Sequence, residues 1–226
     1  MAATTATKAT GTSSSRSASI GQMIAFPAVV ALAVTVLRLI GELKGWAPAY
    51  FSTEPGGGGA LVGIAWLIPV FGIVFAMQLV NAGERPASRG RAILFPLIAL
   101  ALLAGSFAAI MKFIPPSDPV KFIAASAAVS IVCGVIASIG WPRLARVNFG
   151  YGIASRIPVV VVMYLAIAND WNSHYAKGAP GMPEMAVMEK WIVIGVVPQM
   201  FMWIAITLIL GGLFGGLSLL LRKRPA

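Results

Sequence analysis

The sequence predicts an all-α, polytopic transmembrane helical bundle with six spans and both termini in the cytoplasm. Three observations lead there. The chain is 58% hydrophobic and only 11% charged, against roughly 45–50% and 25% in soluble proteins. Apolar runs near the ~20 residues needed to cross a hydrocarbon core fall at about 22–41, 60–80, 92–112, 121–140, 149–168 and 190–221. The basic residues are also unevenly shared between alternate connections. With a cytoplasmic N-terminus, Lys8, Arg16, Arg85, Arg89, Arg91, Arg143, Arg146, Arg156, Arg222, Lys223 and Arg224 lie inside. Arg38, Lys44, Lys112, Lys121, Lys177 and Lys190 lie outside, a ratio of eleven to six. That is the bias expected of residues that resist translocation, and it indicates a multi-pass protein of the cytoplasmic (inner) membrane. Topology therefore accounts for the net charge of +10. With no basic groove or recognition motif, the expected surroundings are the lipid bilayer and no nucleic acid. Cys133 is the only cysteine, which excludes an intramolecular disulfide.

The domain organisation follows: a disordered N-terminal tail over 1–20 and a six-helix transmembrane domain over 21–226. The tail is rich in Ala, Thr and Ser and has too few bulky apolar groups to offset the entropy of ordering. The first run, Met23 to Ile40, exceeds the ~7–15 residues of a signal-peptide core and reads as an uncleaved span. Arg38 and Glu42 stand four apart on one helical face. They are expected to form an ion pair closing the outer end, with Arg38 snorkelling to water; the alternative is a gate or counter-ion.

Four consecutive glycines, Gly56 to Gly59, read as a flexible turn before the second span. A phosphate-binding loop would need a following Lys and Ser/Thr, and Ala60-Leu61 follow instead. Pro69 and Pro198 fall near the middle of the second and sixth spans. Proline bends there, with Gln78 and Gln199, outline a candidate transport path. The fourth span has no proline and carries small residues at four-residue spacing, Ser126, Ser130, Gly134 and Ser138. Such a stripe is a packing face and marks this as the expected central helix. The sixth ends in overlapping Gly-xxx-Gly frames that include Gly212 and Gly216, suited to packing within one chain or between two.

Trp46, Tyr50, Pro55 and Gly56 recur at identical spacing as Trp171, Tyr175, Pro180 and Gly181. The echo suggests two parallel hairpins, spans one–two and five–six, flanking spans three–four.

The densest polar cluster follows span five and includes Asp170, Asn172, His174 and Tyr175. If the helix continues by a turn, Asp170 and His174 share a face. A zinc site normally takes three or four ligands and the chain has one histidine, so no metal and no cofactor are expected. The other reading is an interfacial collar, with Trp171 and Tyr175 among lipid headgroups. Arg156, placed near the inner end of span five, reads as part of the positive-inside signal or, with Arg143 and Arg146, as a lipid-phosphate contact. The sequence holds no mid-membrane carboxylate, Ser-His-Asp set or metalloprotease motif. The expected function is therefore a non-enzymatic membrane component, a subunit, scaffold or assembly partner, packing against further copies or other membrane subunits. The alternatives are a passive or facilitated small-solute transporter or channel, and an outer-face metal-dependent activity at Asp170 and His174.

Overall fold

A computed structural model describes residues 19–115 and 117–221, and every regular element among them is helical. The main helices are α1 (Ile20–Leu43), α2 (Leu67–Asn81), α3 (Arg89–Phe113), α4 (Pro119–Gly140), α5 (Pro142–Ala168) and α6 (Val187–Leu221). All but α2 are long and apolar enough to cross a membrane, which makes the chain a multi-pass membrane protein. Of the tail expected over 1–20, only Ser19 and Ile20 are among the described residues, and they begin α1.

Polarity is distributed inside out. The outward faces carry Phe26, Leu32, Ile98, Leu102, Ile131, Val135 and Val161, while Thr35, Arg38, Glu42, Asn148, Arg156 and Gln199 are buried. Hydrocarbon around the bundle favours no polar outer face, so a helix that is apolar nearly all round is the natural product.

The second span departs from expectation. Its helix begins at Leu67 and covers 15 residues, about 22 Å, because the glycines at 56–59 adopt left-handed φ values of 54° to 86° that break helix propagation. Pro69 consequently lies in the first turn of α2, where no intrahelical acceptor awaits its missing N–H, and not at a mid-span bend. In contrast, α5 starts earlier than expected. Pro142 opens its first turn, so Arg156 falls in the middle of a 27-residue helix and not at its inner end. In α6, Pro198 cannot donate to the carbonyl four residues back, and wider π-helical turns run over Trp191–Val196 and Pro198–Met202.

The hub is α6, which packs against α2, α3, α4 and α5, while α1 lies on α5. The stripe on α4 faces α6: a Cβ at Gly134 would meet Leu208 and Ala205, Ser126 and Ser130 are buried, and Ser138 Oγ donates 2.7 Å to its own helix at Gly134 O. The opposite side of α4, with Ile131, Val132, Val135 and Ile139, is exposed. It is therefore a peripheral helix and not the central one. Likewise the two hairpins pack directly on each other, α1 on α5 and α2 on α6, with α3 and α4 to one side. Backbone proximity explains the choice of hub. A Cβ on Gly72 would stand 2.5 Å from the Gly211 backbone, one on Gly215 2.9 Å from Gly72 O, one on Gly216 2.6 Å from Ala92 O, and one on Gly212 3.2 Å from Pro96. The glycine frames of α6 are thus occupied within the chain.

Candidate functional site

The site grows from two buried arginines with opposite surroundings. Arg38, in the last turns of α1, is nearly saturated. Its guanidinium donates to Glu42 and Val62 O, to Ser52 O at 2.7 Å and to Gly57 O at 3.1 Å. It is buried and does not snorkel to water, because the irregular chain from Ser52 to Trp66 folds over it and presents carbonyls that no helix satisfies. Irregular backbone at this depth survives only when protein groups complete its hydrogen bonds, and Arg38 completes three. Glycine is required here: Gly57 (φ 86°) would bring a Cβ to 3.2 Å from Arg38 Nη2.

Glu42 joins the loop that follows α1 to the loop that follows α5. Its Oε2 accepts the backbone N–H of His174 at 2.9 Å, and its Oε1 lies 2.5 Å from His174 Nδ1. A buried carboxylate can only accept, so Nδ1 carries the proton. Lys177 Nζ adds a bond to Thr53 Oγ1 at 3.3 Å. Burial, with Glu42 close by, pushes the Tyr175 phenol well above its ordinary value, keeping it neutral beside the His174 ring at 3.9 Å.

The polar cluster read from the sequence therefore divides. α5 stops at Ala168 and Asp170 turns outward with φ 50°, so it does not share a helical face with His174. Asp170 and Asn172 are exposed, while Tyr175 is buried and not held in an outer aromatic collar. Among the described residues no group of three or more His, Cys, Asp or Glu side chains is placed to hold a metal ion. The echoed residues also differ in role: Trp46 and Tyr50 are exposed, their counterparts Trp171 and Tyr175 partly or fully covered.

Arg156 is the opposite case. It is 3% exposed and lies twelve residues before the end of α5, about 18 Å along the helix axis at 1.5 Å per residue. Its Nη1 makes one long bond to Gln199 Oε1 at 3.4 Å, its guanidinium lies 4.4 Å from the Trp203 ring centroid, and Nε has no partner. None of the ion pairs among the described residues involves it.

Arg156 lines a cavity of about 710 Å³ that runs between it and the loops following α1 and α5. Arg38, His174 and Lys177 line the upper part, Gln199, Pro198 and Trp203 the lower, and no described acidic residue contributes. Met111, Ile114, Phe122 and Ile123 form an apolar wall on the α3–α4 side. The π-helical turns of α6 bring Pro198 and Gln199 to this cavity, with Gln199 Nε2 3.8 Å from Met163 Sδ. Pro69 and Gln78 do not line it, and Gln78 is exposed on α2. Of the candidate path only its α6 half converges on the cavity.

Sequence reasoning missed the Glu42–His174 bridge, because 132 residues separate the partners. It also missed the isolation of Arg156, although a signal existed: Arg156 is followed by Ile-Pro-Val-Val-Val-Val-Met with no acid in that stretch. Comparison with known proteins finds no matching family model, curated protein or solved structure, so the functional reading rests on this geometry alone.

Proposed function

We propose that this chain is a non-enzymatic, six-span protein of the cytoplasmic membrane that binds a small solute in the cavity above Arg156 and supports its passive or facilitated passage. The observation that carries the reading is Arg156 itself. A lone arginine at mid-helix costs about 2.5–3.5 kcal/mol on insertion scales, and one 3.4 Å bond and an aromatic face offset this incompletely. Ionisable groups retained at such depth ordinarily mark a solute or ion pathway. The cavity volume of about 710 Å³ falls within the roughly 300–1,000 Å³ of small-molecule sites.

Six spans are supported by α2 together with the irregular chain that precedes it: the helix supplies about 22 Å, and Ser52 to Trp66, closed over Arg38, supplies the remaining depth. Removing the buried Arg38 and Arg156 from the charge tally leaves ten basic residues against five, which still favours cytoplasmic termini.

Native mass spectrometry of protein extracted gently from its own membrane tests the function. The expected spectrum carries a reproducible small-molecule mass that is lost in Gln199→Leu. Reproducible protein partners with no such adduct would overturn solute binding in favour of a scaffold or subunit.

A further inference from the structure

We infer that the ligand of this cavity is an amphiphilic anion, a carboxylate or phosphate monoester carried on an apolar body. This rests on the reading of the cavity as a solute site and specifies what the site selects.

The charge follows from an accounting of partners. Among the described residues the lining holds Arg38, Arg156, Lys177 and His174 and no Asp or Glu. Arg38 is paired with Glu42 and His174 bonds to the same carboxylate, while the part-buried Lys177 bonds to the neutral Thr53 hydroxyl and adds a positive charge at the loop end of the cavity. Arg156 is the deeply buried member of this set and keeps an unpartnered donor, Nε, while 97% of its surface is withdrawn from solvent. A guanidinium in low dielectric calls for negative charge, and its planar donors match the paired oxygens of a carboxylate or phosphate. A cation would meet this unpaired arginine with nothing to balance either charge. Gln199 adds an amide donor beside the same point: its Nε2 faces only the weak acceptor Met163 Sδ.

The body follows from the walls. Above Arg156 the cavity is bounded by Val159, Met163 and Ile194 on one side and by Met111, Phe122 and Ile123 on the other. These surfaces offer contact and no hydrogen bonds. A bare inorganic anion would leave them uncovered and the cavity mostly unfilled, whereas a hydrocarbon chain gains their burial. Met side chains suit a flexible chain better than a rigid ring.

Trp203, beside the Arg156 guanidinium, provides the readout. The ligand used is 2-bromoundecanoate, whose bromine stands on the carbon next to the carboxylate and quenches tryptophan at short range, with its methyl ester as the neutral analogue. Protein in nanodiscs of neutral lipid is titrated with each, and Trp203→Phe identifies the Trp203 share of the signal. The expected result is saturable quenching of Trp203 by the acid, at least tenfold weaker with the ester, weakened about tenfold or more in Arg156→Gln and less so in Arg156→Lys, which keeps the charge but loses the paired planar donors. Competition then identifies the source. Displacement by long-chain phosphatidic acid in the disc points to a lipid headgroup, and displacement by octanoate alone points to a water-borne organic acid; both support the shared chemistry. Equal saturable quenching by acid and ester overturns the anion assignment while leaving the solute site in place. Absence of saturable Trp203 quenching by either overturns both.

Discussion

Removing Arg38 would orphan the carbonyls of Ser52, Gly57 and Val62 and leave the Glu42 carboxylate buried without its strongest partner. Breaking one side of such a buried pair costs about 3–5 kcal/mol. Arg38→Met is therefore expected to lower the thermal midpoint in detergent sharply and to expose the 52–66 chain to proteolysis. Arg156 predicts the reverse. Its removal discards a charge that the fold does not balance, so Arg156→Met should melt at or above the wild-type temperature while losing bromoundecanoate binding. An Arg156→Met protein that melts as early as Arg38→Met would show that Arg156 supports the fold. At this scale the sequence discloses that Arg38 and Glu42 share a face, since four residues is one helical turn. It does not disclose that His174 completes the cluster, because that contact depends on where two distant loops meet.

The decisive element is α6, whose glycines let α2 and α3 approach its backbone. Gly72→Ala would place a methyl 2.5 Å from the Gly211 backbone and is expected to destabilise by about 1–3 kcal/mol, as overpacking does. Gly105→Ala on α3, where nothing lies within 4 Å, should leave the midpoint unchanged. Because Gly216 faces Ala92 O at 2.6 Å from its would-be Cβ, Gly216→Leu should abolish the folded protein altogether, seen as a void-volume peak in gel filtration. A folded monomer from Gly216→Leu would instead place the frame at an interface between copies. The Gly-xxx-Gly spacing was legible as a close-approach motif. Its partner was not, since a helix face of glycine carries no side chain by which to recognise what it meets. The same limit applies to α4: small residues every four positions mark one packing face, yet a helix packed on one face only is peripheral.

Across the whole molecule, the six-span topology is tested with single cysteines in a Cys133→Ala background. Cysteines at Glu54 and Glu184, both exposed, are expected to react with a membrane-impermeant maleimide added to intact cells, and one at Ala87 only after permeabilisation. Labelling of all three from outside would break the proposed arrangement. What the sequence by itself determined is the class of molecule: helical, multi-pass and apolar on its outer faces. A hydrocarbon solvent imposes long apolar runs, and composition reports these without reference to neighbours. Tertiary structure decided everything that depends on pairing. It shortened the second span to a helix plus a chain folded on Arg38, made α6 the hub in place of α4, and drew His174 to Glu42 and away from Asp170. It also left Arg156 without a carboxylate beside a cavity. Each of these is a balance of partners for a buried polar group, and burial withdraws the water that would otherwise serve any of them, so the outcome depends on which groups the packed helices bring within reach.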